Sequence, residues 1–233
     1  MESLQEVMDH AKRIVFFTGA GISVPSGIPD FRSSNGLYNQ HYHAEEILSH
    51  SFFMAQPKQF YDFYWHHMVY PQALPNKAHQ WIAKCQENYE KVSVVTQNID
   101  DLHQMAGSKN VYCLHGSIHH YTCMHCGNHY ALNDLTIGEV PYCKVCHGLI
   151  KPDVVLYEES LDQQVIHDSI HAIQQADTLI IIGTSLNVYP AASFLQYFHG
   201  HTMVLINKSK TPADSRADVI IHDDIIKAIE GLI

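Results

Sequence analysis

Charge is scarce in this sequence: Asp, Glu, Lys and Arg make up 16% of its 233 residues, against about 25% in an ordinary soluble domain. Basic residues are the scarcer kind, 14 against 24 acidic, for a net charge of −10. There is no Lys/Arg-rich run, so we expect no nucleic-acid partner; an acidic surface suits a basic peptide. Long apolar stretches are missing too. The longest purely aliphatic run is Leu179 to Ile182, far short of a membrane span, and the opening MESLQEVMDH lacks the apolar core of a secretory leader. These absences predict a cytoplasmic chain with no membrane partner. Cysteine is sparse at 6 residues, and in a reducing compartment cysteines are more often metal ligands or buried thiols than disulfides. What is plentiful is hydrophobic residues, 46%, and 19 histidines. That composition excludes disorder and allows one large domain, or one domain with a smaller insert.

Leu4, Val7, Met8 and Ala11 recur at helical spacing, and Ile14-Val15-Phe16-Phe17 then reads as a buried strand ahead of a glycine turn. Val92–Val95, Val111–Leu114, Leu179–Ile182, Val204–Ile206 and Val219–Ile221 have the pattern of parallel strands buried on both faces. Helical patterns lie between them: Ala78, Trp81, Ile82 and Cys85 behind an Asn76 cap, then Val165, Ile166, Ile170 and Ile173, and finally Ile225, Ile226 and Ile229. The alternation predicts an α/β fold, a Rossmann-like parallel sheet with helices on both faces. Residues 38–75 are rich in aromatics and histidine without a clear strand, and with the helix after them they mark a helical insertion over 38–88. Residues 119–150 hold cysteine pairs among turn residues and mark a second insertion. Together the insertions predict a small helical and zinc-ribbon lobe, leaving 1–37, 89–118 and 151–233 as a discontinuous Rossmann-like domain.

Cys123-Met-His-Cys126 and Cys143-Lys-Val-Cys146 have the spacing of a two-knuckle zinc site. Four thiolates fill the zinc sphere and leave no position for water or substrate, so such a metal is structural, holding a lobe too small to fold alone. The alternative is four independent buried cysteines, and His125 and His147 stand close enough in sequence to substitute as ligands. Cys85 and Cys113 read as core thiols.

After the first strand comes Thr18-Gly19-Ala20-Gly21-Ile22-Ser23, where glycines permit positive φ and close approach of N–H groups to a phosphate. Alone, the turn does not separate a dinucleotide site from an ordinary strand-to-helix connection. Val24 stands where GxGxxG has its third glycine, and Glu45 or Glu46 is a poor match for a ribose-binding acid about 20 residues on. Other strand ends add to it: Gln97, Asn98 and Asp100, then His115, then Gly183-Thr184-Ser185, then Asn207. Ligands of open α/β sheets bind at such ends. A histidine there can be a general base near neutral pH; in a chain with 19 histidines a surface or core role is the alternative.

Taken in order, Gly19-Ala20-Gly21-Ile22-Ser23, Gly27-Ile28-Pro29-Asp30-Phe31-Arg32, Thr96-Gln97-Asn98-Ile99-Asp100, Leu114-His115-Gly116, the cysteine quartet, Gly183-Thr184-Ser185-Leu186 and Ile206-Asn207 resemble the sirtuin family. These are NAD-dependent protein-lysine deacylases, here of bacterial type, and the resemblance covers essentially the whole chain. It implies NAD⁺ as co-substrate, its diphosphate on Gly19, Ala20 and Gly21 with Val24 beside them. The adenosine end would lie near Gly183, Thr184, Ser185, Asn207, Asp224 and Ile225. Asp30, Phe31 and Arg32 would cover the nicotinamide ribose, while Ile28, Ile99 and Asp100 would line the nicotinamide pocket with Gln97 in the same site. Asn98 would orient the ribose or a water, and His115 would be the general base. The acylated lysine of a protein substrate would enter as an added strand between Val154, Val155 and Tyr157 on one side and Asn187 and Val188 on the other. The implied products are free lysine, nicotinamide and O-acyl-ADP-ribose, with zinc, held by Cys123, Cys126, Cys143 and Cys146, outside the chemistry.

Two departures bear on the substrate. Family members usually carry Phe-Gly-Glu in the peptide clamp, whereas this chain reads Tyr157-Glu158-Glu159; if the turn needs positive φ, Glu158 is strained or the clamp shifted. Members that prefer acidic acyl groups share a Tyr-x-x-Arg motif, whereas the stretch here is Tyr61-Asp62-Phe63-Tyr64. Without that arginine, neutral acyl groups, acetyl or longer, are expected. Phe60, Phe63, Tyr64 and Trp65 read as lobe core or as an acyl wall. Competing functions are a hydride-transferring NAD oxidoreductase, a protein ADP-ribosyltransferase and a zinc-ribbon interaction module. An incubation with NAD⁺ and acetyl-peptide separates them: free nicotinamide and a lighter peptide are expected, not reduced cofactor, a heavier peptide or mere binding.

Overall fold

Ser3 opens the first helix, Leu4–His10, with a capping box: its hydroxyl accepts the Glu6 N–H at 3.2 Å, and the Glu6 carboxylate accepts the Ser3 N–H at 2.7 Å. The computed structural model describes residues 3–30 and 43–232, so the expectations for Phe31 and Arg32 lie outside the described residues. In chain order the strands are β1 (Arg13–Thr18), β2 (Lys91–Thr96), β3 (Val111–Cys113), β4 (Gly116–Cys123), β5 (His129–Ala131), β6 (Ile150–Val154), β7 (Thr178–Ile182), β8 (Thr202–Ile206) and β9 (Val219–Ile221).

Six of them form one parallel sheet in the order β3-β2-β1-β7-β8-β9. Successive side chains of a strand point to opposite faces, and both faces here are covered. Phe16 joins Trp81, Ile82 and Val204 in one core, while Phe17 joins Ile173, Leu179 and Leu205 in the other. This is why the strands read as continuous apolar runs; Leu179 through Ile182 are fully buried. The expected helices cover the sheet at Lys77–Asn88 and Gln163–Gln175, with the short Ile225–Ala228 near the end. Strand order reverses between β1 and β7, which opens a crevice at the carboxyl ends of these two neighbours.

The remaining strands form a small antiparallel sheet, β5-β4-β6. It reaches a few residues past the expected limits of 119 and 150, from Gly116 to Val154. The helix Pro57–His67 packs on it: Phe60, Tyr61, Tyr64 and Trp65 share a core with Ile118, Tyr121 and Ile150. The second insertion and the part of the first around this helix are therefore one packed body, whereas the helix Lys77–Asn88 belongs to the large sheet, where Ala78, Trp81, Ile82 and Cys85 share a core with Phe16 and Val204, so the helical insertion expected over 38–88 ends before it. Phe60 and Tyr64 are 0% exposed and Trp65 4%, which makes these three lobe core, while Phe63 is only partly buried against it. Among the described residues, no helix is long and apolar enough to cross a membrane.

The two insertions are joined by a buried hydrogen bond from the Tyr61 hydroxyl to the Ile150 carbonyl at 2.6 Å. Removing one partner leaves a buried acceptor unpaired, so Tyr61→Phe should cost about 1–3 kcal/mol, measured by denaturant unfolding.

Candidate active site and metal centre

At the crevice, the turns after β1 and β7 interlock. Gly19 N–H donates to Ile182 O at 3.1 Å and Gly21 N–H to Gly183 O at 2.8 Å, while Gly183 N–H reaches Ile206 O at 3.0 Å. A Cβ on Gly19 would come within 2.7 Å of Thr184 Cβ, and one on Gly21 within 2.7 Å of Gly183 Cα. This corrects one expectation: Gly19 has φ −132° and Gly21 is not in the left-handed region, so their missing side chains serve closeness and not positive φ. Positive φ occurs across the crevice at Gly183, φ +62°, and at Gly27, φ +87°, which ends the 3-10 turn Ala20–Ser26. Val24 sits on that turn, 40% exposed. Ile28 is partly buried and donates its N–H to Ser23 O at 3.3 Å, and Asp30 is partly buried beyond it.

The segment after β2 lies against this turn. Asn98 is buried, and its amide Nδ2 donates to Gly19 O at 3.2 Å and to Ser23 Oγ at 3.1 Å. Ser23 Oγ in turn donates to Asp100 Oδ2 at 2.6 Å, and Asp100 Oδ1 accepts Leu102 N–H at 3.0 Å. Burial is the largest influence on Asp100 and pushes its carboxyl above the ordinary value, although the Ser23 hydroxyl and Leu102 N–H favour the charged form. Gln97 Nε2 donates to Thr184 Oγ1 at 3.0 Å, tying β2's end to the β7 turn. Ile99, partly buried, gives its carbonyl to Ile118 N–H at 2.9 Å.

His115 occupies the short link from β3 to β4. Its Nδ1 lies 2.7 Å from Gln97 O; a carbonyl only accepts, so Nδ1 carries the hydrogen and Nε2 holds the lone pair in the neutral ring. Burial pushes the imidazole below its ordinary value and outweighs the Gln97 carbonyl, which acts the other way. Gly116 follows at φ +78°, with no room for a Cβ beside the Asp153 carbonyl. The His115 carbonyl accepts Val155 N–H at 2.9 Å, which fixes the imidazole's backbone to the chain leaving β6.

The other expected residues fall at strand ends. Thr184 is buried and Ser185 partly buried after β7, and Asn207 follows β8 with its amide donating to Ser209 O at 2.7 Å. Asp224 caps Ile226 N–H at 3.0 Å and pairs with Lys208 at 3.1 Å, beside buried Ile225. Val154 closes β6; Tyr157, 36% exposed, follows it. Asn187 is exposed and Val188 partly buried on the segment past β7. Glu158 does have positive φ, +75°, as the comparison with Phe-Gly-Glu anticipated.

In the small lobe, four thiols converge. Cys123 and Cys146 Sγ are 3.5 Å apart, Cys126 and Cys143 Sγ 3.6 Å, and all four lie within 4.8 Å of one another. A tetrahedron with Zn–S bonds of about 2.3 Å has edges of about 3.8 Å, so the quartet fits zinc. The cluster comprises cysteines alone, without His125 or His147.

The Sir2 family pattern matches residues 19–190. This chain belongs to the Sir2 family. It is 50% identical over 239 residues to an NAD-dependent protein deacetylase of Clostridium acetobutylicum, covering 100% of this chain and 98% of that one. A solved Sir2 complex with a p53 peptide and NAD⁺ superposes with TM-score 0.88 at 36% identity, covering 100% of this chain and 97% of that one. A Sir2 complex with deacetylated p53 peptide and 3′-O-acetyl ADP ribose gives TM-score 0.90 at 36% identity, covering 99% and 98%.

Within this Sir2-family chain the interlocked glycines, Asn98, Asp100 and His115 surround one crevice. Ser23 ends the motif Gly19–Ser23, whose pattern assigns it no role; its hydroxyl is the link between Asn98 and Asp100. A signal was present in the residue type, since a buried hydroxyl inside a polar site can accept one bond while donating another. The quartet would hold zinc through four thiolates and lend the lobe stability. Cys143→Ala should therefore lower bound zinc from one per chain toward none and reduce Tm, read by metal analysis and calorimetry.

Proposed function

We propose that this Sir2-family chain is an NAD-dependent protein-lysine deacetylase, releasing nicotinamide and O-acetyl-ADP-ribose. The observation that carries the reading is His115, whose Nδ1–H is committed to the Gln97 carbonyl at 2.7 Å, which leaves Nε2 as the base. Burial keeps the ring neutral, so Nε2 is ready to take a proton from a ribose hydroxyl near neutral pH. Bound in the crevice, NAD⁺ supplies the ADP-ribosyl acceptor and the nicotinamide leaving group. Gly19 and Gly21 let backbone approach the diphosphate, and Thr184, Ser185, Asn207, Asp224 and Ile225 receive the adenosine end. Asn98 has both amide hydrogens engaged by Gly19 O and Ser23 Oγ, so it offers its Oδ1 as an acceptor to a ribose hydroxyl or water. Asp100, held by Ser23 and Leu102, accepts the carboxamide N–H groups of nicotinamide, with Ile28 and Ile99 as apolar walls.

The acylated lysine lies between Val154, Val155 and Tyr157 and the segment Asn187–Val188. A neutral acyl group fits best, because the stretch Tyr61-Asp62-Phe63-Tyr64 holds no arginine to pair with a carboxylate. Residues 1–37, 89–118 and 151–233 form the NAD-binding domain together with the helix Lys77–Asn88, whose Ala78, Trp81, Ile82 and Cys85 share its core; the helix Pro57–His67 and the insertion 119–150 form the lobe that closes the crevice, and the separate cores support this division. The acidic balance of charge favours cytoplasmic protein substrates with basic flanks and no nucleic acid.

His115→Ala should lower acetyl-peptide turnover about 10²–10⁴-fold, with the fold and zinc content retained, measured by nicotinamide release. In the wild type the lowered pKa keeps Nε2 unprotonated to lower pH, so kcat/KM should fall only below the ordinary imidazole range. Wild-type turnover by the alanine variant would remove His115 from this role.

A further inference from the structure

The turn after β6 departs from the usual family residue at Glu158, and the structure shows what the departure gains. Glu158 sits at φ +75°, a conformation that glycine adopts freely and L side chains avoid. Its carboxylate crosses to the helix His50–Ala55: Oε2 accepts Ser51 N–H at 2.9 Å and Oε1 accepts the Ser51 hydroxyl at 2.9 Å. Ser49 takes the neighbouring Phe52 N–H at 3.2 Å, so Glu158 satisfies a donor of the first turn that the local cap does not. Main chain pairs beside it, with Tyr157 N–H to Leu48 O and His50 N–H to Tyr157 O, both at 3.0 Å. Glu159 adds a second carboxylate in the same direction. It accepts from His50 Nδ1 at 2.8 Å, Lys151 Nζ at 3.0 Å and Leu156 N–H at 2.9 Å. One side of the turn is thus fastened to residues 48–51, while Val155 N–H, just ahead of it, is fastened to the His115 carbonyl.

We propose that Glu158 is a positioning residue for the peptide substrate: bonded to Ser51, its carboxylate fixes the strand that the acyl-lysine peptide joins before the peptide arrives. This rests on the reading of Val154, Val155 and Tyr157 as one wall of the peptide slot. A strand ordered in advance does not lose that freedom on binding, so the gain appears in peptide affinity. The bond touches neither the NAD⁺ crevice nor the imidazole, so it leaves the chemical step alone.

The test is steady-state kinetics of the full chain with acetyl-peptide and NAD⁺. Glu158→Gly, which keeps the turn's conformation and loses the bond, should raise peptide KM about fivefold, with kcat and the KM for NAD⁺ within about twofold of wild type. Glu158→Gln, which retains an uncharged acceptor for Ser51, should recover most of that loss. Val188→Asp alters the opposite wall and reads the slot independently; a raised peptide KM is expected. If Val188→Asp raises peptide KM and Glu158→Gly does not, the role of Glu158 falls and the slot stands. If Val188→Asp leaves it unchanged, the slot reading falls and the proposal with it. A parallel loss of kcat and of both KM values in Glu158→Gly would mark a general structural part and would also overturn the proposal.

Discussion

Two backbones meeting without side chains between them is the constraint on which the site depends. The Gly21 N–H to Gly183 O bond of 2.8 Å forms only because neither residue carries a Cβ, and it brings the ends of β1 and β7 together where the strand order of the sheet reverses. Everything that meets the crevice is indexed to that contact. Asn98 binds the Gly19 carbonyl, Gln97 binds Thr184 beside Gly183, and His115 is aimed by the Gln97 carbonyl. A single short polar relay therefore runs from the glycine turns through the end of β2 to the His115 imidazole.

The metal and the chemistry are separated by the same architecture. The quartet closes the far part of the small lobe, where thiols within 4.8 Å of one another saturate a tetrahedral ion. The crevice sits on the large sheet. Between them lies an aromatic core in which Tyr61 and Tyr64 pack edge to face or stacked with Phe60 and Trp65, and Tyr121 lies tilted against Trp65, so the stability supplied by metal reaches the site through packing and not through any ligand.

Much of this was legible in the sequence, for specific reasons. Strands buried on both faces announce themselves as apolar runs, so Leu179–Ile182 and Val204–Ile206 could be read directly. Paired cysteines at knuckle spacing carried their own geometry. The helix Lys77–Asn88 was legible from its Asn76 cap. Less legible were contacts between distant segments. Nothing local in Gly19 or Gly21 says that their want of a side chain is used against Gly183 and Thr184 and not for positive φ. Nothing in Ser51 or Glu158 says that they meet across 107 residues. Ser23 was visible as a motif residue, but its place between Asn98 and Asp100 appears only once β1 and β2 lie side by side. The shared core of the two insertions was hidden too, because amphipathic helix Pro57–His67 and strand β4 are far apart in the chain.

The position of His115 has a mechanical meaning. β3 of the large sheet ends at Cys113 and β4 of the small sheet begins at Gly116, so the imidazole is carried on the pivot between two bodies. The return crossing, at Val154 and Val155, is bolted to the same residue through its carbonyl. The segment that aims the imidazole is thus also the segment that joins the two sheets, and its anchors lie one on each body: the Gln97 carbonyl at the end of β2 and the Val155 N–H just past β6.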